Sequence, residues 1–225
     1  MRVKLPLIVS FVGLITLSIR PRLGLRQKVT TPNLRQTLEN ALSKVGRASS
    51  DYDLNRGIVL PKGRMLTPAS VLIAIRADTG NVIMTKRSAK LKHHPGQIAF
   101  AGGKQDASDA NAIDASLREA REEIGLMPDC IEVLGVLPPH ETVTGYTVTP
   151  VIALVHGRFD PKPDVREVSE VFEVPLKHVT NPSMFRIEGR RWQGHFRQYF
   201  VVPYGSYYIW GATARILRSL ADRMT

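Results

Sequence analysis

Arg118-Glu119-Ala120-Arg121-Glu122-Glu123-Ile124-Gly125-Leu126 closes a segment, beginning near Asp109, in which apolar residues recur at helical spacing. At about 100° per residue, Ile113, Leu117, Ala120 and Ile124 share one stripe, while Glu119, Glu122 and Glu123 gather roughly opposite, on a face expected to be exposed. The spacing predicts a helix over 109–124. Like charges at i, i+3 and i+4 repel by a few tenths of a kcal/mol per pair, and no lysine follows at that spacing to relieve them. A hard divalent cation would relieve them, because carboxylates one helical turn apart can reach one ion and leave positions for water and a phosphate. The plain alternative, a solvated helix face, is the commoner meaning of such a run. Upstream context shifts the balance: Gly102-Gly103-Lys104 ends a glycine-rich stretch, 96–103, read as a loop whose backbone N–H groups suit phosphate oxygens. Carboxylates beside an anion cradle point to diphosphate chemistry.

Outward from this segment the chain alternates strands and helices. Val71–Ile75 and Val82–Met84 flank the turn residues Asp78-Thr79-Gly80-Asn81 and predict a hairpin. Ile131–Leu137, Val148–Val155 and Tyr199–Val202 read as further strands, Gly211–Arg223 as a closing amphipathic helix, and Pro32–Lys44 as a helix ahead of them. This mixture implies an α/β or α+β sandwich with helices covering a sheet. At 225 residues and 43% hydrophobic, the chain can bury a core without staples. Cys130 is the only cysteine, which excludes an internal disulfide framework and a thiolate zinc cluster. It suits a reducing, cytoplasmic location, and any metal must be held by oxygen or imidazole.

The net charge of +11 is unevenly spread. Residues 1–47 carry nine Lys/Arg against the single acid Glu39, whereas residues 48–225 carry 22 basic and 19 acidic residues. The chain therefore reads as a basic, partly apolar leader, 1–47, and a nearly balanced domain, 48–225. A basic nucleic-acid-binding protein is the alternative from another class, but the body shows no nucleic-acid motif and no such partner is expected. Within the leader, the apolar run Leu5–Ile19 has the look of a signal h-region without a cleavage site, and about 15 residues fall short of the roughly 20 that span a bilayer. No membrane partner is expected, though the run leaves one open.

Gly103 through Leu126 resembles the Nudix box: a glycine, an acid, then Arg-Glu-apolar-x-Glu-Glu-x-Gly-apolar, supplied without a gap by 118–126. Asp109 stands where the box usually has Glu, and its spacing to Arg118 is one residue longer. The coenzyme A diphosphatase branch of the family shows both features. That branch also reads Leu-Leu-Thr-x-Arg-Ser-x-x-Leu-Arg-x-His-x-Gly-x-Val-Ala-Phe-Pro-Gly-Gly, which Ile83–Gly103 is similar to, with Ala101 in place of Pro. The resemblance implies a Nudix-type α/β/α sandwich with a mixed sheet, over about residues 50–225. It implies metal-dependent hydrolysis of the diphosphate of coenzyme A or its derivatives, giving 3',5'-ADP and 4'-phosphopantetheine or its acyl form. A Nudix diphosphatase for ADP-ribose or a dinucleoside polyphosphate is the alternative within the class.

The resemblance implies Glu119 and Glu123 as ligands of Mg²⁺ or Mn²⁺, with Glu122 completing the site directly or through water. Arg118 is expected to orient a carboxylate, and Asp109 to cap the helix. Arg87 and Lys104 are candidates for substrate phosphates, including the 3'-phosphate of coenzyme A. His94 matches the motif histidine and is a candidate substrate contact or structural hydrogen-bonder, while His93 is expected to be exposed. Gly96, Gly102 and Gly103 are conformational, the last two also bordering substrate, and Gln97 carries no assigned role. The base is a box glutamate or a later acid, for which Glu167 and Glu170 are candidates.

Overall fold

In a computed structural model, residues 31–225 are described except Arg56, Val59, Pro61, Lys62 and Gln193. The apolar run Leu5–Ile19 lies outside the described residues. The elements are α1 (Thr31–Ser43), β1 (Ser49–Ser50), β2 (Thr67–Arg76), β3 (Asn81–Arg87), β4 (Ile98–Ala99), β5 (Ala101–Lys104), α2 (Ala112–Ile124), β6 (Ile131–Val136), β7 (His140–Glu141), β8 (Tyr146–Val155), β9 (Val168–Pro175), α3 (Leu176–Val179), β10 (Arg186–Trp192), β11 (His195–Val201) and α4 (Gly211–Met224).

Among the described residues, nine strands form one mixed sheet. At its centre β2 and β8 run parallel, in register from Thr67 opposite Tyr146 to Arg76 opposite Val155. The other edge of β2 is divided between β5, which pairs with its first half, and β3, reached through the predicted turn, where Gly80 takes φ 69°. Both central strands are buried on both faces, so each reads as a continuous apolar run rather than an alternating one. Leu72, Ala74, Val151, Ala153 and Val155 face Ala120 and Ile124 of α2. Ile73, Ile75, Ile152 and Leu154 face Leu217 and Leu220 of α4. This is the expected α/β/α sandwich with a mixed sheet. The hairpin β10–β11 forms a separate two-stranded sheet.

Three expectations are corrected. The stretch 96–103 is only partly a loop, because its last residues pair as strands: β4 with β3, and β5 with β2. Asp109 does not cap α2; Asn111 does, its Oδ1 accepting from the N–H groups of Ile113 (2.8 Å) and Asp114 (3.1 Å). Asp109 is drawn away by Arg118. The boundary at 47/48 falls inside the folded body: Leu38 and Ala41 of α1 are fully buried against the α4 side of the sheet, and the buried Arg223 donates to Lys44 O at 2.5 Å. The net charge of the first 47 residues conceals this, because a helix joins a core through its apolar stripe whatever charges its outer face carries. The strand β9, paired antiparallel with β3, is an addition that weak alternation in 168–175 does not announce.

Candidate active site

The three glutamates of α2 follow a gradient of burial. The side chain of Glu123 is 4% exposed, that of Glu119 16% and that of Glu122 52%, so the expected exposed face is exposed only at Glu122. What buries the other two is β5. Gly102 N–H donates to Glu123 Oε2 at 3.2 Å, and a Cβ on Gly103 would lie 2.4 Å from Glu119 Oε1. The missing side chain at 103 is what leaves room for the Glu119 carboxylate. Gly102 serves differently, since a Cβ there would meet Ser70 O of β2 at 2.3 Å. The two glycines thus separate: Gly103→Ala should keep the fold and displace Glu119, lowering turnover at least tenfold, whereas Gly102→Ala should cost about 1–3 kcal/mol or more by forcing β5 off β2. Thermal melts beside activity on the two variants check this, and a Gly103→Ala protein of native activity would contradict it.

Electrostatics follow from the burial. Burial pushes the Glu123 carboxyl up to about 7, with the charges of Glu119 and Glu167 adding and the Gly102 N–H and Arg87 opposing. Burial likewise raises Glu119, against its hydrogen bond from Arg118. Arg118 is committed to protein acceptors on all sides. Its Nε and Nη2 grip Asp109 at 3.0 and 2.9 Å, Nη1 reaches Glu119 Oε1 (3.0 Å) and Glu122 Oε2 (3.1 Å), and Nη2 also reaches Lys104 O (3.0 Å). The hydrogen bonds from this guanidinium lower the Asp109 carboxyl from its usual value. Gly125, at φ 70°, ends α2 in the left-handed conformation that glycine adopts without strain, and the loop between β8 and β9 returns to this helix end. There Asp164 N–H donates to Glu123 O, and Glu167 N–H to Asp164 O, which places Glu167 beside the cluster.

The residues singled out from sequence divide into two groups. Arg87, at the end of β3, places Nη1 3.8 Å from Glu123 Oε1, and Gly102, Gly103 and Lys104 lie on β5 against α2; the Lys104 ammonium makes no ion pair among the described residues. His94 stands apart. It takes the left-handed φ of 55°, uncommon outside glycine, at the rim of two adjoining cavities that Gln97 also lines. His93 is exposed. Glu170 belongs to that second region too, accepting a hydrogen bond from the Tyr207 hydroxyl, so only Glu167 of the two later acids joins the carboxylates. Arg190, Tyr199 and Trp210, which line these cavities, carry no local motif that could have marked them.

Among the described residues, no three carboxylate or imidazole groups converge on one point at ligand distance, because Arg118 holds Glu119 and Glu122. The donor set nevertheless suits a hard divalent cation. It is oxygen throughout, the charge of Glu119 helps to raise Glu123 and that of Glu122 helps to raise Glu119, and Gly103 leaves open the space over Glu119 that a Cβ would fill. No helix among the described residues is long and apolar enough to cross a membrane.

Residues 66–196 match the NUDIX domain family. The chain is 42% identical over 154 residues to the protein described as "Uncharacterized Nudix hydrolase NudL" of Escherichia coli (strain K12), a match covering 68% of this chain and 80% of that one. It is 37% identical over 188 residues to the like-named protein of Salmonella dublin, covering 83% and 94%. Among solved structures it is similar to the Nudix hydrolase RenU of M. smegmatis, at 26% identity and a TM-score of 0.41, over 52% of this chain and 73% of that one. Family hydrolases use divalent metal ions and act on pyrophosphate bonds. With its box glutamates gathered on α2 under β5, the chain belongs to the Nudix hydrolases, acting on nucleoside diphosphate derivatives.

Proposed function

We propose that this hydrolase cleaves the diphosphate of coenzyme A and its derivatives, releasing 3',5'-ADP and 4'-phosphopantetheine or its acyl form, in a reducing cytoplasm. The observation that carries the reading is the placement of the branch-specific run Ile83–Gly103. It folds as strand, loop and strand against the box helix, with Arg87 3.8 Å from Glu123, Gly102 donating to Glu123 and Gly103 making room for Glu119. The segment that distinguishes the branch is therefore the one that shapes the carboxylate site.

In this reading Glu119 and Glu123, with Glu122, hold Mg²⁺ or Mn²⁺. A divalent ion bound there supplies charge neutralisation on phosphate oxygens and a lowered pKa for bound water. Arg118 orients Glu119 and Glu122 while Asp109 anchors it from behind. Arg87 and Lys104 meet the diphosphate oxygens, the first through its planar fork. Water adds to one phosphorus, the bond to the bridging oxygen breaks, and the water's proton passes to a carboxylate. Glu167, exposed on the turn beside the cluster, is our candidate acceptor.

A substrate panel tests the reading. With Mg²⁺ or Mn²⁺, coenzyme A, acyl-coenzyme A, ADP-ribose, NADH and diadenosine polyphosphates should be ranked by kcat/KM, with coenzyme A or its acyl form first and 3',5'-ADP among the separated products. A clear preference for ADP-ribose would replace the substrate and keep the diphosphatase.

A further inference from the structure

A cavity of about 670 Å³ opens on the face of the sheet turned away from α2, bounded by Lys86, the loop at His94–Gln97, Arg190, Tyr207 and Trp210. A second, of about 270 Å³, adjoins it and shares His94, Gln97, Arg190 and Trp210. Together they are of the size that takes a nucleotide-sized ligand. Their position relative to the carboxylates follows from strand geometry. Successive side chains of β3 alternate faces, so Lys86 lines the cleft while Arg87 reaches Glu123. The cleft loop is itself bonded to Arg87, whose N–H donates to Gln97 O and whose O accepts from Gly96 N–H. A ligand with its diphosphate at Arg87 would have to pass around the end of β3 to enter the cleft, which lies on the opposite face of the sheet.

The chemistry of the cleft is aromatic and cationic. The Arg190 guanidinium lies 4.4 Å from the centroid of the Trp210 ring and 5.9 Å from that of Tyr199, which meets Trp210 edge-on at 5.2 Å. A guanidinium laid on a ring keeps its N–H edge available for a phosphate. Arg190 makes no ion pair among the described residues, and the acids around it have other partners: Glu170 accepts from the Tyr207 hydroxyl and Glu188 from the Tyr208 hydroxyl at 2.7 Å.

Resting on the diphosphatase reading above, we infer that this cleft receives the nucleoside end of the substrate and that Arg190, laid on Trp210, selects a ribose carrying an additional phosphate. Arg87 is thereby confined to the diphosphate, since a ribose phosphate lies several bonds from the scissile linkage. Lys86, on the same wall, adds a second positive charge.

The test compares full-length wild type with Arg190→Gln and Arg190→Lys. Calorimetric titration with 3',5'-ADP and with 5'-AMP should show wild type favouring 3',5'-ADP at least tenfold. The glutamine variant should lose that preference, the lysine variant should keep part of it, and the kcat/KM ratio of coenzyme A to 3'-dephospho-coenzyme A should fall toward one in parallel. A preference that survives Arg190→Gln overturns the inference, as does a wild type that does not distinguish the two nucleotides. So does a variant that loses both to the same degree, which would make Arg190 a support for the stacked base. Coenzyme A hydrolysis with an unaltered preference in the variant would sink the inference and leave the function standing. Arg190-dependent binding of 3',5'-ADP by an enzyme that does not cleave coenzyme A would sink the function and leave the cleft.

Discussion

Replacing Glu123 by glutamine is expected to lower turnover by about 10²–10⁴-fold while making the metal-free protein more stable above neutral pH. Both effects come from one buried carboxylate. Its pKa rises from 4.5 to about 7, so the folded state holds this proton more tightly than the unfolded chain does. The contribution to stability is complete below about pH 4.5, and it is lost as the pH rises to about 7 and the chain must carry a buried charge. Glutamine keeps an acceptor for Gly102 N–H without that charge, and the gain at pH 8 should approach about 3 kcal/mol, vanishing near pH 4. A divalent ion should reverse the order, raising the melting temperature of wild type and hardly moving that of the variant. Paired melts at pH 4 and pH 8, with and without Mg²⁺, read all of this. A variant less stable than wild type at pH 8 without metal would show that Glu123 does not bear a buried charge there.

Leu38→Ala is expected to cost about 2–5 kcal/mol, and deletion of residues 1–47 to abolish soluble folded protein. Leu38 is fully buried in the core beneath α4, with Leu34 and Leu42 of the same helix packed against that core. Removing α1 uncovers Leu217 and Leu220 and leaves the buried Arg223 without its acceptors Ala41 O and Lys44 O. The cost of the deletion is the apolar surface it exposes, since the Arg223 guanidinium, covered by the same segment, is released to water. Urea denaturation of Leu38→Ala with an unchanged midpoint, or a folded and active protein starting at residue 48, would separate α1 from the core.

Much of this was legible along the chain, and what was legible was local. The stripe Ile113, Leu117, Ala120 and Ile124 predicted α2 to within three residues at its start, the turn residues 78–81 predicted the β2–β3 hairpin, and the apolar runs at 71–75 and 148–155 predicted the two central strands. Such signals depend on neighbours a few residues apart. Spacing singled out the three glutamates as candidates, and family resemblance added Arg118. Their environment was not. Helical periodicity placed Glu119, Glu122 and Glu123 on one face, but only the packing of Gly102 and Gly103 onto α2 decided that Glu123 is buried and Glu122 open. Asp109 was the expected cap, but the contact with Arg118, nine residues on, draws it away and Asn111 caps α2 instead. Arg190 over Trp210 had no local signal, because its cleft is assembled from β3, the loop before β4, the β10–β11 hairpin and the start of α4. The sequence by itself determined α2, the β2–β3 hairpin, the two central strands and the chemical groups of the box, whereas burial, protonation and the cleft were decided by the tertiary structure. Local patterns act through backbone geometry over one or two turns, while desolvation and charge depend on whatever distant segments the fold lays against each group.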